Sequence, residues 1–197
     1  METRILPQEF SEVRAIQNDD GVWHIPGKAI VFNVRSRKIK SFFEVIMPTA
    51  LDNAKMDDAI SCWNHNTSHI LGSVRNKTTT YEITGDAMLY DTLPPNNPTT
   101  NDMVIAPIVR RDVTGSSFMF NIAEGGDEWV RDPDGSIVRY VHKIYEVYEW
   151  GPVSLPVYMD TVTEVTKRSL DDFISLTKQQ ETVIRSQYTK MKLALYR

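Results

Sequence analysis

The chain has 197 residues, the length of one ordinary domain with an appendage. Its hydrophobic fraction of 41% and aromatic fraction of 10% are typical of a protein with a packed core. The formal net charge of -4 gives no overall attraction to nucleic acid or to an anionic membrane surface. No apolar run approaches the roughly 20 residues of a membrane span, and no signal-peptide pattern opens the chain. A single cysteine, Cys62, excludes an internal disulfide and a thiolate metal cluster. We therefore expect an intracellular protein with neither nucleic acid nor membrane as a partner.

The first half of the chain predicts strands, one helix and a loop. The apolar, β-branched run at 30–34 and the run SFFEVIM at 41–47 predict two strands. Pro48 then opens a segment that Thr49 can cap, which predicts a short helix ending near Ser61. The segment at 91–101, rich in Pro, Asn and Thr, predicts a surface loop.

The second half begins with a mostly apolar segment at 103–113, which fits a short helix or a strand. The run SSFMFNI at 116–122 predicts a strand. The sequence DPDGS at 132–136 is a strong turn signal, and the run at 137–149 predicts a further strand.

Beyond Tyr158, apolar residues recur at helical spacing, with charged residues between them, so we expect one or two amphipathic helices. These residues are Leu170, Phe173, Ile174, Thr177, Ile184, Tyr188, Met191 and Leu195. Four of them, at 170, 177, 184 and 191, are seven residues apart, the spacing that keeps one seam on a partner helix. The stripe fits either a partner helix or packing against the chain's own domain.

Three short segments carry candidate chemistry: CWNHNTSHILG at 62–72, GSSFMF at 115–120 and YEWGPVSLPVY at 148–158. Side chains alternate along a strand, so if Phe118 and Phe120 enter the core, Ser117 faces the other way and is free to meet substrate. Ser116 shares the Phe118 face, which favours packing or a hydrogen bond to backbone. Cys62 is three residues from His65, so in an extended segment the two would point to opposite faces, and we expect a buried, structural cysteine.

In this order and approximate spacing, the segments resemble the motifs of the prohead proteases of tailed bacteriophages, a family similar in fold to the herpesvirus assemblins. WNHNTSHILG resembles the family's histidine motif, TGSSFMF its serine motif and YEWGPVSLPVY its closing motif. IPGKAIVFNV and FFEVIMPTAL resemble its opening strand and helix. The resemblance covers about residues 27–161.

The sequence departs from the family's usual pattern at a few positions. Asn66 stands where the family usually has aspartate, and Trp150 and Gly151 stand where it usually has Val-Ser. Met119 replaces a usual glycine in the serine motif, which would narrow the substrate cleft.

The resemblance implies a serine endopeptidase in which Ser117 is the nucleophile and His65 the base. Imidazole suits this role because its ordinary pKa of about 6.5 lies near working pH. Glu149 matches the closing glutamate and would orient His65. On a regular strand it would share an apolar face with Tyr145 and Val147. His142 is the rival for the third position, because assemblins use a second histidine.

The resemblance leaves the role of Arg139 open between positioning an oxyanion-binding water and pairing with a surface acid. His24 and His69 carry no role in this interpretation.

These features together predict an α+β fold: a β-rich, barrel-like domain with flanking helices at 1–161, similar to the assemblins, followed by an amphipathic helical tail at 162–197. The implied function is cleavage of the scaffold and the major capsid protein precursor during head maturation, inside immature proheads in the host cytoplasm. No cofactor and no metal are implied, and a homo-oligomer stays open. The alternative is a catalytically inactive scaffold- or capsid-binding assembly protein of the same fold. A third reading, an esterase or amidase of small substrates, requires a deep pocket.

Overall fold

The computed structural model describes residues 1–6, 12–154 and 163–194. The chain divides into two compact units, Met1–Thr161 and Val162–Arg197. The first unit contains the strands and several short helical segments, and the second contains one long helix.

The described part of the first unit contains strands of two to ten residues. They are β1 (Glu2–Ile5), β2 (Ile16–Gln17), β3 (Trp23–Val31), β4 (Phe43–Ile46), β5 (Ile60–Trp63), β6 (Asn66–Ser73), β7 (Thr79–Ile83), β8 (Ala87–Thr92), β9 (Gly115–Ile122), β10 (Asp127–Arg131), β11 (Ile137–Val141) and β12 (Ile144–Val153). The predicted strand at 116–122 is confirmed as β9. The strand predicted at 137–149 is two strands, because the chain turns at His142 and Lys143 between β11 and β12.

The strands form three sheets. The largest has the order β1-β9-β12-β5-β6, the second has the order β10-β11-β4 and the third has the order β2-β3-β8-β7. Within the described ranges these sheets do not close into a barrel, so the expectation of a barrel-like domain is wrong. The coarser part of the α+β expectation is confirmed: the described residues are a strand-rich mixture of strands and few helices, with a helix at the C-terminal end.

The main core lies on the inner face of the largest sheet. Phe118, Phe120 and Trp150 are fully buried there, and the rings of Phe118 and Phe120 stack with centroids 5.0 Å apart. A second buried cluster forms around Val13, Ile25 and Trp63.

The helix predicted at 49–61 is wrong beyond its first turn. The chain forms a 3-10 turn at Pro48–Leu51, and β5 has already begun at Ile60. The predicted loop at 91–101 is shorter than expected, because β8 continues to Thr92 and helical structure begins at Pro98. Asn97 caps that start: its side-chain oxygen accepts a hydrogen bond from the Thr100 amide at 2.9 Å.

The helical segment after this cap has three parts: α1 (Pro98–Thr100), a π-helical turn (Asn101–Ile105) and α2 (Ala106–Val109). Its buried apolar residues, Val104, Ile105 and Ile108, join the second cluster. The open choice between helix and strand at 103–113 is therefore resolved as a helix.

The second unit contains helix α3 (Glu164–Ala194), a single helix of 31 residues. Several of its apolar side chains are exposed: Leu176, Val183, Ile184, Tyr188 and Met191. The prediction of a helical tail is confirmed, and Leu195 lies outside the described residues.

Candidate active site

The loop between β5 and β6 positions His65. Trp63 pairs with Asn66, so Asn64 and His65 are the two central residues of a tight hairpin loop. Both have positive φ angles, 52° and 58°. Two-residue hairpin loops of type I′ need positive φ at both central positions, and Asn is the favoured non-glycine residue there. The local sequence Asn64-His65 therefore folds the histidine onto the tip of a hairpin.

Asn64 fastens this tip to the end of β12. Its side-chain oxygen accepts hydrogen bonds from the amide and the hydroxyl of Ser154, at 2.8 and 3.1 Å. The backbone amide of Asn64 donates a hydrogen bond to the carbonyl of Pro152 at 3.1 Å. The His65 backbone is therefore held beside β12, the strand that carries Glu149.

His65 and Glu149 are in direct contact. The Nδ1 atom of His65 hydrogen-bonds to Oε1 of Glu149, and the two side chains are only 9% and 4% exposed. An ionised carboxylate only accepts, so Nδ1 is the donor in this hydrogen bond, and in the neutral ring Nε2 then keeps its lone pair. Nε2 is buried and has no hydrogen-bond partner among the described residues. This tautomer is the one that a general base requires.

The β-bulges of β12 place Glu149 on a different face from the one expected. Val147 pairs with Phe120 and Glu149 pairs with Met119, with a register shift between the two pairs. Phe120 and Met119 are consecutive residues of β9 and point to opposite faces. The expectation that Glu149 shares a face with Val147 is wrong, because a bulge inserts an extra residue and reverses the alternation.

Cys62 is buried, as expected, but it does not point away from the site. Burial, reinforced by the neighbouring Glu149 carboxylate and a hydrogen bond to it, raises the pKa of the thiol to about 12. His65 and Cys62 thus contact the same carboxylate. The expectation of opposite faces is wrong because it assumed an extended segment, whereas the chain bends sharply at Asn64 and His65. A thiol with this pKa stays neutral, which disfavours a nucleophilic cysteine.

The two serines of β9 lie on opposite faces of the strand. Ser116 is buried beside Phe118 and hydrogen-bonds to the Tyr90 hydroxyl at 3.3 Å and the Gly151 carbonyl at 3.5 Å. The expectation of a packed, hydrogen-bonded Ser116 is confirmed. Ser117 shares a face with Met119, and Met119 is the register partner of Glu149. Ser117 and Glu149 are therefore diagonal neighbours on adjacent strands, with Cα atoms about 7–8 Å apart.

Ser117 is not exposed. Its relative accessibility is 0%, and its hydroxyl donates a hydrogen bond to the Arg4 carbonyl of β1 at 2.8 Å. The expectation that Ser117 is free to meet substrate is wrong for this structure. The sequence analysis missed β1, which pairs with β9 along the edge next to Ser117. Its only signal in the sequence is four residues of mixed charge and apolarity, Glu2–Ile5.

Arg139 belongs to a buried ion cluster, not to a surface pair. Its guanidinium donates to Glu2 at 2.8 Å, to Glu44 at 3.2 Å and to Asp127 at 2.6 Å. Arg4 donates to both oxygens of Glu44, at 2.6 and 2.9 Å, and contacts Glu2. The cluster joins β1 to β4, β10 and β11, so the hydrogen bonds of Arg139 connect these strands to one another.

The other histidines have partners other than Glu149. His142 lies in the turn after β11, with Nε2 3.6 Å from Glu128 Oε2. His24 pairs with Asp91 at 2.8 Å, and His69 contacts Asn66 at 3.2 Å. The structure therefore brings Glu149, not His142, to His65. Within the described ranges no three or more His, Cys, Asp or Glu side chains are grouped so as to hold a metal ion.

A histidine held by a buried carboxylate, beside a strand that carries two serines, is the set of groups that serine hydrolases use. Comparison with known protein families agrees with this class: residues 10–175 match the profile of the caudovirus prohead serine proteases. The chain belongs to that family. No curated protein and no solved structure gives a significant match.

Membership of this family indicates a serine peptidase of phage capsid maturation, associated with capsid or scaffold proteins in the procapsid. No helix in the described part of the chain has the length and apolarity needed to cross a bilayer.

Proposed function

We propose that this chain is the endopeptidase that cleaves the scaffold and the major capsid protein precursor during head maturation, with Ser117, His65 and Glu149 as its catalytic groups. The proposal rests on family membership for the reaction class. The choice of the three catalytic residues rests on the geometry around Glu149.

The choice of these residues depends on one observation, which is that Ser117 and Glu149 lie on the same face of the sheet. His65 is hydrogen-bonded to Glu149 on that face, whereas Ser116 lies on the opposite face of β9. A nucleophile must reach the free ring nitrogen of the base, so of the two serines only Ser117 is on the correct side. This reasoning is independent of the motif resemblance and selects the same serine.

The groups divide the reaction in the usual way for a serine peptidase. Ser117 Oγ attacks the scissile carbonyl while Nε2 of His65 takes the hydroxyl proton. His65 then gives that proton to the leaving amine, and a water molecule hydrolyses the acyl-enzyme by the same route in reverse. Glu149 holds the ring and stabilises the imidazolium, which matters because both side chains are buried from water.

The test compares two neighbouring serines. Ser117→Ala and His65→Ala should each abolish processing of the capsid precursor when the two proteins are co-expressed, measured by the intact masses of the products. Ser116→Ala is the matched control, because it removes the same hydroxyl from the opposite face, and it should process nearly normally. Inactive Ser116→Ala with active Ser117→Ala would show that the face assignment is wrong.

One observation favours a second candidate, a catalytically inactive capsid- or scaffold-binding protein with the same fold. Ser117 is fully buried and its hydroxyl is engaged by Arg4. A fluorophosphonate probe separates the two functions. Covalent labelling of Ser117 in the folded wild-type protein supports the peptidase, and complete absence of labelling together with unprocessed precursor supports the assembly protein.

A further inference from the structure

β1 occupies the edge of β9 that carries the proposed nucleophile. In the largest sheet, β9 has β12 on one side and β1 on the other. The pairing is antiparallel, with residue 5 opposite Ser117, and the Leu6 amide donates to the Ser116 carbonyl at 3.0 Å. Without β1, this edge would present unpaired amide and carbonyl groups, which is the kind of edge that an extended peptide joins as an added strand.

β1 also engages the Ser117 hydroxyl itself. The hydroxyl carries one hydrogen, and that hydrogen is donated to the Arg4 carbonyl at 2.8 Å. It cannot be donated to His65 at the same time, and Nε2 of His65 has no hydrogen-bond partner among the described residues. The proposed nucleophile and base are therefore not hydrogen-bonded to each other, and a main-chain carbonyl of β1 accepts the hydrogen that His65 would have to take.

Resting on the proposed function, we propose that β1 is an inhibitory strand: it occupies the binding edge for an extended substrate peptide beside Ser117 and must leave before cleavage. β1 lies outside the residues that match the family model, 10–175. The substrate that replaces it is a peptide segment in extended conformation, paired with β9 through its main chain.

The buried ion cluster is the latch that holds β1. Arg4 donates two hydrogen bonds to Glu44, and Glu2 accepts a hydrogen bond from Arg139. Single removal of one buried charge leaves its partner uncompensated. Departure of the whole strand removes one negative and one positive charge together, so the net charge left behind is unchanged. Arg139 then still contacts Glu44 and Asp127, which makes the open state accessible without an orphaned ion.

A reversible crosslink tests the strand directly. Because the Leu6 amide bonds to the Ser116 carbonyl, alternation makes Thr3 and Met119 a non-hydrogen-bonded pair, with Cα atoms about 4.5 Å apart. That separation suits a disulfide, whose Cα atoms are usually about 4.4–6.8 Å apart. The double variant Thr3→Cys/Met119→Cys should therefore lock β1 in place when oxidised and free it when reduced.

The measurement is the rate at which a fluorophosphonate probe labels Ser117, read by mass spectrometry of the folded protein. The oxidised double variant should label at least roughly tenfold more slowly than the same protein after reduction, because opening of the strand is blocked. Wild-type protein with and without reductant is the control, and its rate should not change, since its one cysteine is buried. Equal rates in the oxidised and reduced double variant would overturn the inhibitory strand and leave the proposed peptidase intact.

A second variant tests the latch without a crosslink. Glu2→Gln weakens the charge-assisted hydrogen bonds to Arg4 and Arg139 and should speed labelling of Ser117 roughly fivefold. Glu82→Gln, an exposed position on β7, is the matched control and should label at the wild-type rate. A wild-type rate in Glu2→Gln refutes the latch. Absence of labelling in every form, reduced double variant and wild type included, refutes the peptidase and the inhibitory strand together.

Discussion

Replacing Glu149 by glutamine tests the proposed site most sharply. The substitution keeps the size of the side chain and removes its charge. The amide can present either its oxygen or its NH₂ group to Nδ1 of His65. If NH₂ faces the ring, Nδ1 must accept, and Nε2 then carries the proton and cannot act as the base. In either orientation the imidazolium loses its neutralising carboxylate.

The size of the loss follows from the burial of the pair. The two side chains are 9% and 4% exposed, so water screens their interaction little. A hydrogen bond to a charged group contributes about 1.5–3 kcal/mol, which is about 10- to 150-fold in rate. Trapping the wrong tautomer raises the loss toward about 10⁴-fold. We therefore expect Glu149→Gln to process the precursor about 10²- to 10⁴-fold more slowly, and Glu149→Ala at least as slowly.

The assay is the initial rate of precursor processing, followed by intact mass, with circular dichroism to confirm the fold. Glu146→Gln is the matched control on the same strand and should process at close to the wild-type rate. His142→Ala should also remain active. Wild-type rates in Glu149→Gln together with near-complete loss in His142→Ala would refute the reasoning and move the third role to His142.

Three further predictions concern other parts of the chain. Gly151→Ala should lower the free energy of unfolding in urea by about 2–3 kcal/mol, because an added Cβ would lie 2.2 Å from the Cys62 carbonyl oxygen; an unchanged midpoint would contradict this close approach. Cys62, whose pKa is raised to about 12, should resist iodoacetamide at pH 8 in the folded protein, where only about one thiol in 10⁴ is ionised, and should react rapidly in urea; rapid reaction of the folded protein would contradict a neutral, buried thiol. If the tail docks on a partner helix, Ile184→Lys with Met191→Lys should reduce incorporation into proheads without slowing peptide cleavage, whereas Gln180→Lys, a polar position of the same helix, should have no effect; normal incorporation of the double variant would refute docking through these residues.

The sequence predicted the parts of the fold that depend on short-range patterns. The alternation of Ser116, Ser117, Phe118 and Phe120 correctly divided the faces of β9, because a regular strand has a strict period of two. The helical spacing after Tyr158 correctly predicted α3. The DPDGS turn lies between β10 and β11 as expected, since its residues favour a turn wherever they occur.

The sequence failed where long-range contacts override local patterns. β1 is stabilised by pairing with β9 and by ion pairs to Glu44 and Arg139, which lie far away along the chain. No window of local sequence contains those partners. The burial of Ser117 follows from the same strand, so exposure of the nucleophile could not be judged from alternation alone. The helix expected after Pro48 ends after one 3-10 turn, and the last residues expected in it belong to β5, which pairs with β6 and β12.

Strand alternation places two adjacent residues of β12 in different layers of the protein. Trp150 is fully buried in the main core and its indole nitrogen donates to the Thr79 hydroxyl at 3.2 Å, while Glu149 faces His65. Substitutions can therefore vary the site side of this strand without altering the core. A deletion at the bulge is also compatible with this arrangement: loss of the one extra residue between Val147 and Glu149 would make the pairing with β9 regular and leave Glu149 opposite Met119 and Trp150 opposite Phe118. Related proteases can accordingly carry this strand with or without the extra residue, but the closing glutamate and the residue after it must stay adjacent, because that adjacency keeps one in the site and the other in the core.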